Sequence, residues 1–169
     1  MLSRFSGRVS MRAPTFQPIP HEKDDRYVRD SVAGLVWHRV SHRVLFADTD
    51  RTGAVYHANY FRFFELGRAT LLRDGGFSFR KVEADGYVYP IFQLGLDFFR
   101  PLEYDDPIWV YTRFREVHRV RVDFDYIITH AESNVVVCRG FTRHCATNRK
   151  GRPVAVDPMT VAVSQDFPV

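Results

Sequence analysis

Residues 47–68 read ADTDRTGAVYHANYFRFFELGR, and the fold turns on how this stretch divides into loop and helix. Two aspartates sit two apart and a glycine follows. From about Asn59 the spacing becomes helical: Tyr60, Phe64, Gly67 and Leu71 recur on one side, and Phe61, Phe63 and Leu72 widen the stripe. Arg62, Arg68 and Arg73 are assigned to the opposite side. Gly75-Gly76 supplies the stop that glycines give at helix C-termini. A helix of roughly 15 residues with so wide an apolar arc is expected to be largely enclosed.

Around it the chain alternates with a period of two. LVWHRVSHRVLF (35–46) precedes the helix. YPIFQLGLDFF (89–99), IWVYTRFREV (108–117), RVRVDFDYIITH (119–130) and VVVCRGFTRHCAT (135–147) follow it. Short turns separate these runs, so chain neighbours are expected to pair antiparallel. Five antiparallel strands and one greasy helix make an α+β domain with the helix against a sheet face.

With 169 residues, 45% of them hydrophobic, the chain suits one globular domain. A net charge of +4 is too small to establish nucleic-acid binding and fits a phosphorylated or anionic ligand equally well. No run approaches the ~20 apolar residues of a membrane span. Cys138 and Cys145 lie an odd number apart on one strand, so they face opposite ways and cannot pair with each other. Two such thiols suggest a reducing compartment, and a cytoplasmic location is expected. Residues 1–33 begin with Arg4, Arg8 and Arg12 and no acid. They read as a flexible basic tail, an organelle presequence being the other possibility. The domain is placed at 34–169.

The DTDRTG loop admits three readings. As a calcium loop it lacks the closing ligand, because position twelve from Asp48 is Asn59 and not glutamate. No transition-metal set forms around His38, His42 and His57. As a plain turn and helix cap it accounts for one aspartate and for Gly53, but leaves the other aspartate and the polar His57-Ala58-Asn59 approach unexplained. As the acid end of an active site it aims Asp50 at a helix N-terminus. The amides near His57, Ala58 and Asn59 would then hold a carbonyl oxygen as it gains charge. The carboxylate attacks that carbonyl or activates a water. Acyl transfer to water follows.

FADTDRTGAVYHANYFRFFELGR resembles the signature of the 4-hydroxybenzoyl-CoA thioesterase-like acyl-CoA thioesterases, which have the hotdog fold. In that pattern stand Asp48, Asp50, Gly53, Val55 and Tyr60. A looser likeness extends over residues 36–160. The resemblance implies a five-stranded sheet wrapped around one long central helix. It implies Asp50 as nucleophile or general base, and the His57 amide polarising the thioester carbonyl. It further implies an acyl-CoA or acyl-carrier-protein substrate, a site at the interface of a homodimer or homotetramer, and no metal or redox cofactor. Asp48 braces the loop or contacts substrate; Asn59 caps the helix or contacts substrate; Gly53, Val55 and Tyr60 are counted with the substrate-binding residues, Tyr60 either packing or reacting. Glu65 is expected to pair with a nearby arginine. His118, Arg119 and Arg121 are candidates for the CoA phosphates, with Arg149, Lys150 and Arg152 behind them. The family often has a small polar residue near Arg121, so this sequence departs there. Some of Phe61, Phe64, Phe92, Phe98 and Phe99 would line an acyl pocket.

Two other functions compete. A hotdog dehydratase needs a motif such as D-x-N-P-x-H, and no Asn-Pro lies between Asp50 and His57. A module that binds an acyl-CoA or acyl carrier protein without chemistry is the non-enzymatic alternative.

Overall fold

The computed structural model describes residues 12–22 and 24–168. Strands β1 (Pro18–Pro20), β2 (Tyr27–Asp30) and β3 (Val36–Arg43) come first. Helices α1 (Asn59–Asp74) and α2 (Phe79–Ala84) and the short β4 (Tyr87–Val88) follow. Then come β5 (Ile91–Phe98), β6 (Pro107–Val117), β7 (Arg121–His130), β8 (Val136–Cys145), β9 (Thr147–Asn148) and α3 (Pro158–Gln165). Seven strands form one antiparallel sheet in the order β1-β2-β3-β6-β7-β8-β5, and β4 pairs with β9.

Helix α1 lies against one face of this sheet, as the hotdog arrangement requires. It buries Tyr60, Phe63, Phe64, Gly67, Leu71 and Leu72. Two bare backbone positions let helix and sheet approach closely. A side chain on Gly67 would run into Thr112 and Val110 of β6, and one on Gly140 of β8 would run into the Phe64 ring. Phe64 stacks on Tyr126 of β7 with centroids 4.4 Å apart and planes 8° apart. Burying such rings is the largest single contribution to a core of this kind.

The strand count corrects the expectation of five. The two additional strands come from the segment assigned to the basic tail, of which residues 1–11 lie outside the described residues. β2 pairs with β3, placing Tyr27 opposite His38. Phe16 then crosses to the outer face of the sheet, where its ring meets Trp37 at 5.9 Å and Tyr111 at 4.7 Å. With Val28, Ile127 and Val136 these side chains form a second apolar cluster, on the side away from α1. The strands are only three and four residues long. Alternation over so few residues is invisible to a periodicity search.

Chain order corrects a second expectation. β5 does not pair with its successor β6 but crosses to the far edge and pairs with β8. Its other edge is unpaired among the described residues, and Ile91, Phe92, Leu94 and Phe98 on β5 are each about half exposed. Cys138 and Cys145 are both free.

Two substitutions test this packing. Gly67→Val should cost about 1–3 kcal/mol through overpacking at the α1–β6 contact. Phe16→Ala should cost about 3 kcal/mol if the segment before β3 belongs to the fold as described. Urea denaturation followed by far-UV circular dichroism reads both; an unchanged midpoint for Phe16→Ala would mean that the outer cluster contributes nothing.

Candidate active site

Leu45 to Val55 forms a compact knot ahead of α1. A short 3-10 turn, Phe46–Asp48, opens it. The Asp48 carboxylate is buried: Oδ2 accepts the Leu45 amide at 2.9 Å, and Oδ1 accepts from Arg62 of α1 at 3.2 Å. The Asp48 carbonyl accepts the Asn59 side-chain amide at 2.9 Å and the Tyr56 amide at 2.9 Å. Asp48 and Asn59 therefore tie the loop to the first turn of the helix, and these contacts enclose the Asp48 carboxylate.

Asp50 behaves differently. It is exposed on the outside of a tight turn closed by the Gly53 amide on the Asp50 carbonyl and the Asp50 amide on the Ala54 carbonyl. Gly53 holds φ at +85°, a left-handed value that favours glycine. Val55 is buried beside it and donates its amide to Leu102, anchoring the loop to the segment after β5. One Asp50 oxygen, Oδ1, accepts both the Thr52 amide at 2.7 Å and the Thr52 hydroxyl at 2.6 Å. Oδ2 takes part in neither bond. The Thr52 hydroxyl, then its amide, and more weakly the charge of His57 hold the Asp50 carboxyl below its ordinary value, against a small opposing effect of desolvation.

The start of α1 offers free donors. Ala58 occupies the cap position without a side-chain hydrogen bond. The Asn59 amide turns back onto the Tyr56 carbonyl, while the His57 and Ala58 amides have no hydrogen-bond partner among the described residues. The His57 ring is exposed and leans on Tyr56, with centroids 4.3 Å apart. Tyr60 is enclosed, packs edge-on against Phe98 at 4.9 Å, and has its hydroxyl pushed up to about 12, mainly by burial.

The phosphate candidates stand apart from this group. His118 and Arg119 form the tip between β6 and β7, and Arg121 begins β7. The loop follows β3, whose Arg43 pairs with Pro107 at the opposite end of β6. The length of β6 thus separates the two groups within one chain, roughly 30 Å at about 3.3 Å per residue. Arg121 is also occupied, by Glu116 at 3.2 Å and Asp123 at 3.2 Å, and His118 pairs with Glu116 at 2.9 Å. Arg149 donates to the Glu83 carbonyl. Glu65, expected in an ion pair, is exposed and has none among the described residues.

Two cavities flank α1. One, of about 240 Å³, begins one turn into the helix at Phe61 and Arg62 and runs between α1 and β5, past Phe64, Ile91 and Leu94. The other, of about 290 Å³, lies beneath α2 and is walled by Leu72, Phe77, Val82, Val122 and Phe124. Arg68 borders both. It was assigned to the polar side of the helix. Four residues after Phe64 and seven after Phe61, however, it falls on their side, a relation already present in the sequence. Neither cavity reaches Asp50. No group of three or more metal-ligating side chains occurs among the described residues, and no helix among them is long and apolar enough to cross a membrane.

Residues 44–163 match the model of the thioesterase-like superfamily. A protein of Aquifex aeolicus (strain VF5) is 32% identical over 124 residues, 73% of this chain and 94% of its own. Acyl-CoA thioester hydrolase YbgC of Escherichia coli O6:H1 is 28% identical over 120 residues, 71% of this chain and 90% of its own. Among solved structures, the Synechocystis 1,4-dihydroxy-2-naphthoyl-CoA thioesterase Slr0204 superposes with a TM-score of 0.72 over 76% of this chain and 96% of its own. At 21% identity that likeness speaks for the fold. The family match spans well over half of the sequence, and the Aquifex relative is covered almost end to end: the chain belongs to the thioesterase-like superfamily.

Proposed function

We propose that this protein hydrolyses acyl-CoA thioesters at the junction of the Asp50 turn and the start of α1. The observation that carries the proposal is the pairing of an exposed, ionised carboxylate with the two unpartnered amides of His57 and Ala58, the loop between them tied down by Asn59. The name of the Escherichia coli relative supports the substrate class.

In the proposed reaction the thioester oxygen sits on the His57 and Ala58 amides, which stabilise the charge it acquires. The helix dipole adds to their pull. The free Oδ2 of Asp50 attacks the carbonyl carbon, or takes a proton from a water that does. As the tetrahedral species collapses, the carbon–sulfur bond breaks and the electron pair leaves on the CoA sulfur, which is then protonated. Direct attack leaves an acyl–Asp50 anhydride for water to cleave; water attack gives the free acid at once. Single turnover in labelled water separates the two, since only the anhydride route can place the label in Asp50. No step calls for a metal or a redox cofactor.

The exposure of Asp50 is part of the proposal. A carboxylate open to bulk water is a weak catalyst, because water exclusion is what strengthens such electrostatic contacts. The unpaired β5 edge, with four half-exposed apolar side chains beside it, is the surface on which a second copy would dock. A strand added along β5 would satisfy that edge and cover the groove beside α1, completing a site that one chain leaves open. Whether two such pairs associate further, and whether the acyl group arrives on CoA or on a carrier protein, are separate outcomes of the same measurements.

Three results are expected. Asp50→Ala and Asp50→Asn should each lower kcat/KM for an acyl-CoA by about 10²–10⁴-fold with an unchanged circular dichroism spectrum. Release of free thiol at the wild-type rate from either variant would remove Asp50 from the chemistry, and absence of turnover in the wild type would favour the binding-only module. Because the Asp50 carboxyl is depressed below 3.8, kcat/KM should show no acid limb from this group between pH 7 and pH 5. Thr52→Val removes the first of its causes, so any acid limb should move upward in pH. Replacing Phe92 and Leu94 with glutamate should convert the protein to monomers in light scattering and abolish turnover together.

A further inference from the structure

The wall between the two cavities is built of polar groups with a fixed proton order. Tyr126, Thr142 and His144 are all at least nine-tenths buried. The Tyr126 hydroxyl lies 2.8 Å from the Thr142 hydroxyl, which lies 2.9 Å from His144 Nε2. His144 Nδ1 lies 3.3 Å from the Tyr89 carbonyl oxygen. Burial, and then the charge of Arg68, bring His144 down to about 4, so the ring is neutral at pH 7. A carbonyl can only accept, so Nδ1 carries the proton and Nε2 accepts. Thr142 therefore donates to His144, and Tyr126 donates to Thr142. The Tyr126 lone pairs are left for Arg68, whose charge opposes the rise that burial imposes on that hydroxyl.

Among the described residues, Arg68 alone borders both cavities. It is half-buried, and no ion pair among the described residues includes it. Glu65 and Glu83 stand at the rims, both exposed. A guanidinium removed in part from water and in no ion pair among the described residues is costly unless something anionic joins it. Its donors exceed what one tyrosine oxygen can accept.

We infer that Arg68 receives an anionic oxygen at the far end of the acyl group, so that the preferred substrates are medium-length acyl thioesters bearing a distal carboxylate. The inference rests on the thioesterase reading above. Distance supports the chain length. Arg68 lies about ten residues into the helix from Ala58, roughly 15 Å at about 1.5 Å per residue. Side chains lean back toward the N-terminus, which leaves roughly 10 Å between the amides that hold the carbonyl and the guanidinium. A two-carbon acyl group does not reach it. The 240 Å³ cavity between Phe61 and Leu94 accommodates the methylenes on the way.

The test compares suberyl-CoA with octanoyl-CoA, which share a chain length and differ in the terminal carboxylate. Wild-type kcat/KM should favour suberyl-CoA by 10-fold or more. Arg68→Met should bring the ratio to about one by lowering the suberyl value, and Arg68→Lys should keep part of the preference. Suberate should raise the thermal midpoint of the wild type more than octanoate does, a reading independent of turnover. Hydrolysis of both thioesters without preference, or an equal loss on both in Arg68→Met, would overturn the inference and leave the thioesterase reading standing. Selective stabilisation by suberate without any hydrolysis would support the Arg68 site and overturn the thioesterase reading instead.

Discussion

The close approach of α1 to the sheet governs everything built around it. Gly67 lies over Thr112 and Val110, and Gly140 lies under the Phe64 ring. With any side chain at either position, the helix would have to rise from the strands. That contact fixes the axis of α1, and the axis fixes where its first turn emerges. Asn59 and Arg62, both on that first turn, then grip the Asp48 carbonyl and carboxylate. The loop has few places to go once these are made, and Gly53 turns it back so that Asp50 stands outside the knot while Asp48 is sealed within it. Two aspartates of the same short motif thus differ in setting: one is buried against the helix and the other faces solvent.

Much of this was legible in the sequence, for a definite reason. A helix that runs from Asn59 to Asp74 and stops at Gly75 is written in a 3.6-residue period sustained over four turns. The long strands β6, β7 and β8 are written in a sustained period of two. What the sequence concealed is what has no period. β1 and β2 are too short to alternate, so Phe16 and Val28 read as tail although both are buried against the outer face. The pairing of β5 with β8 rather than β6 is a matter of topology, which local pattern does not encode. Proximity across the fold was equally hidden. His118, Arg119 and Arg121 are candidates for a phosphate; within one chain the length of β6 lies between them and the loop, and Glu116 and Asp123 pair with Arg121.

Arg68 shows a different kind of omission. Grouping it with Arg62 and Arg73 by charge placed it on the wet side of the helix. Grouping by angle places it beside Phe61 and Phe64, facing the cavities. A charged residue inside an apolar stripe is the pattern to notice, because burial of that charge has to be answered by something.

The two halves of the proposed site pose opposite electrostatic problems. Asp50 is an exposed anion, and in the proposed reaction it needs water excluded from it; Arg68 is a half-buried cation in no ion pair among the described residues, and in the proposed site an anion answers it. A second chain along β5 would dry the first, and an acyl group with a negative end would neutralise the second. Docking of a partner along the unpaired edge of β5 would enclose the 240 Å³ groove, which begins at Phe61, one turn beyond the free amides, and is bordered by Arg68. An acyl thioester threaded through it would meet opposite charges at its two ends. Its orientation would then be set by the polarity of the channel, and its length by the span of the helix between Ala58 and Arg68.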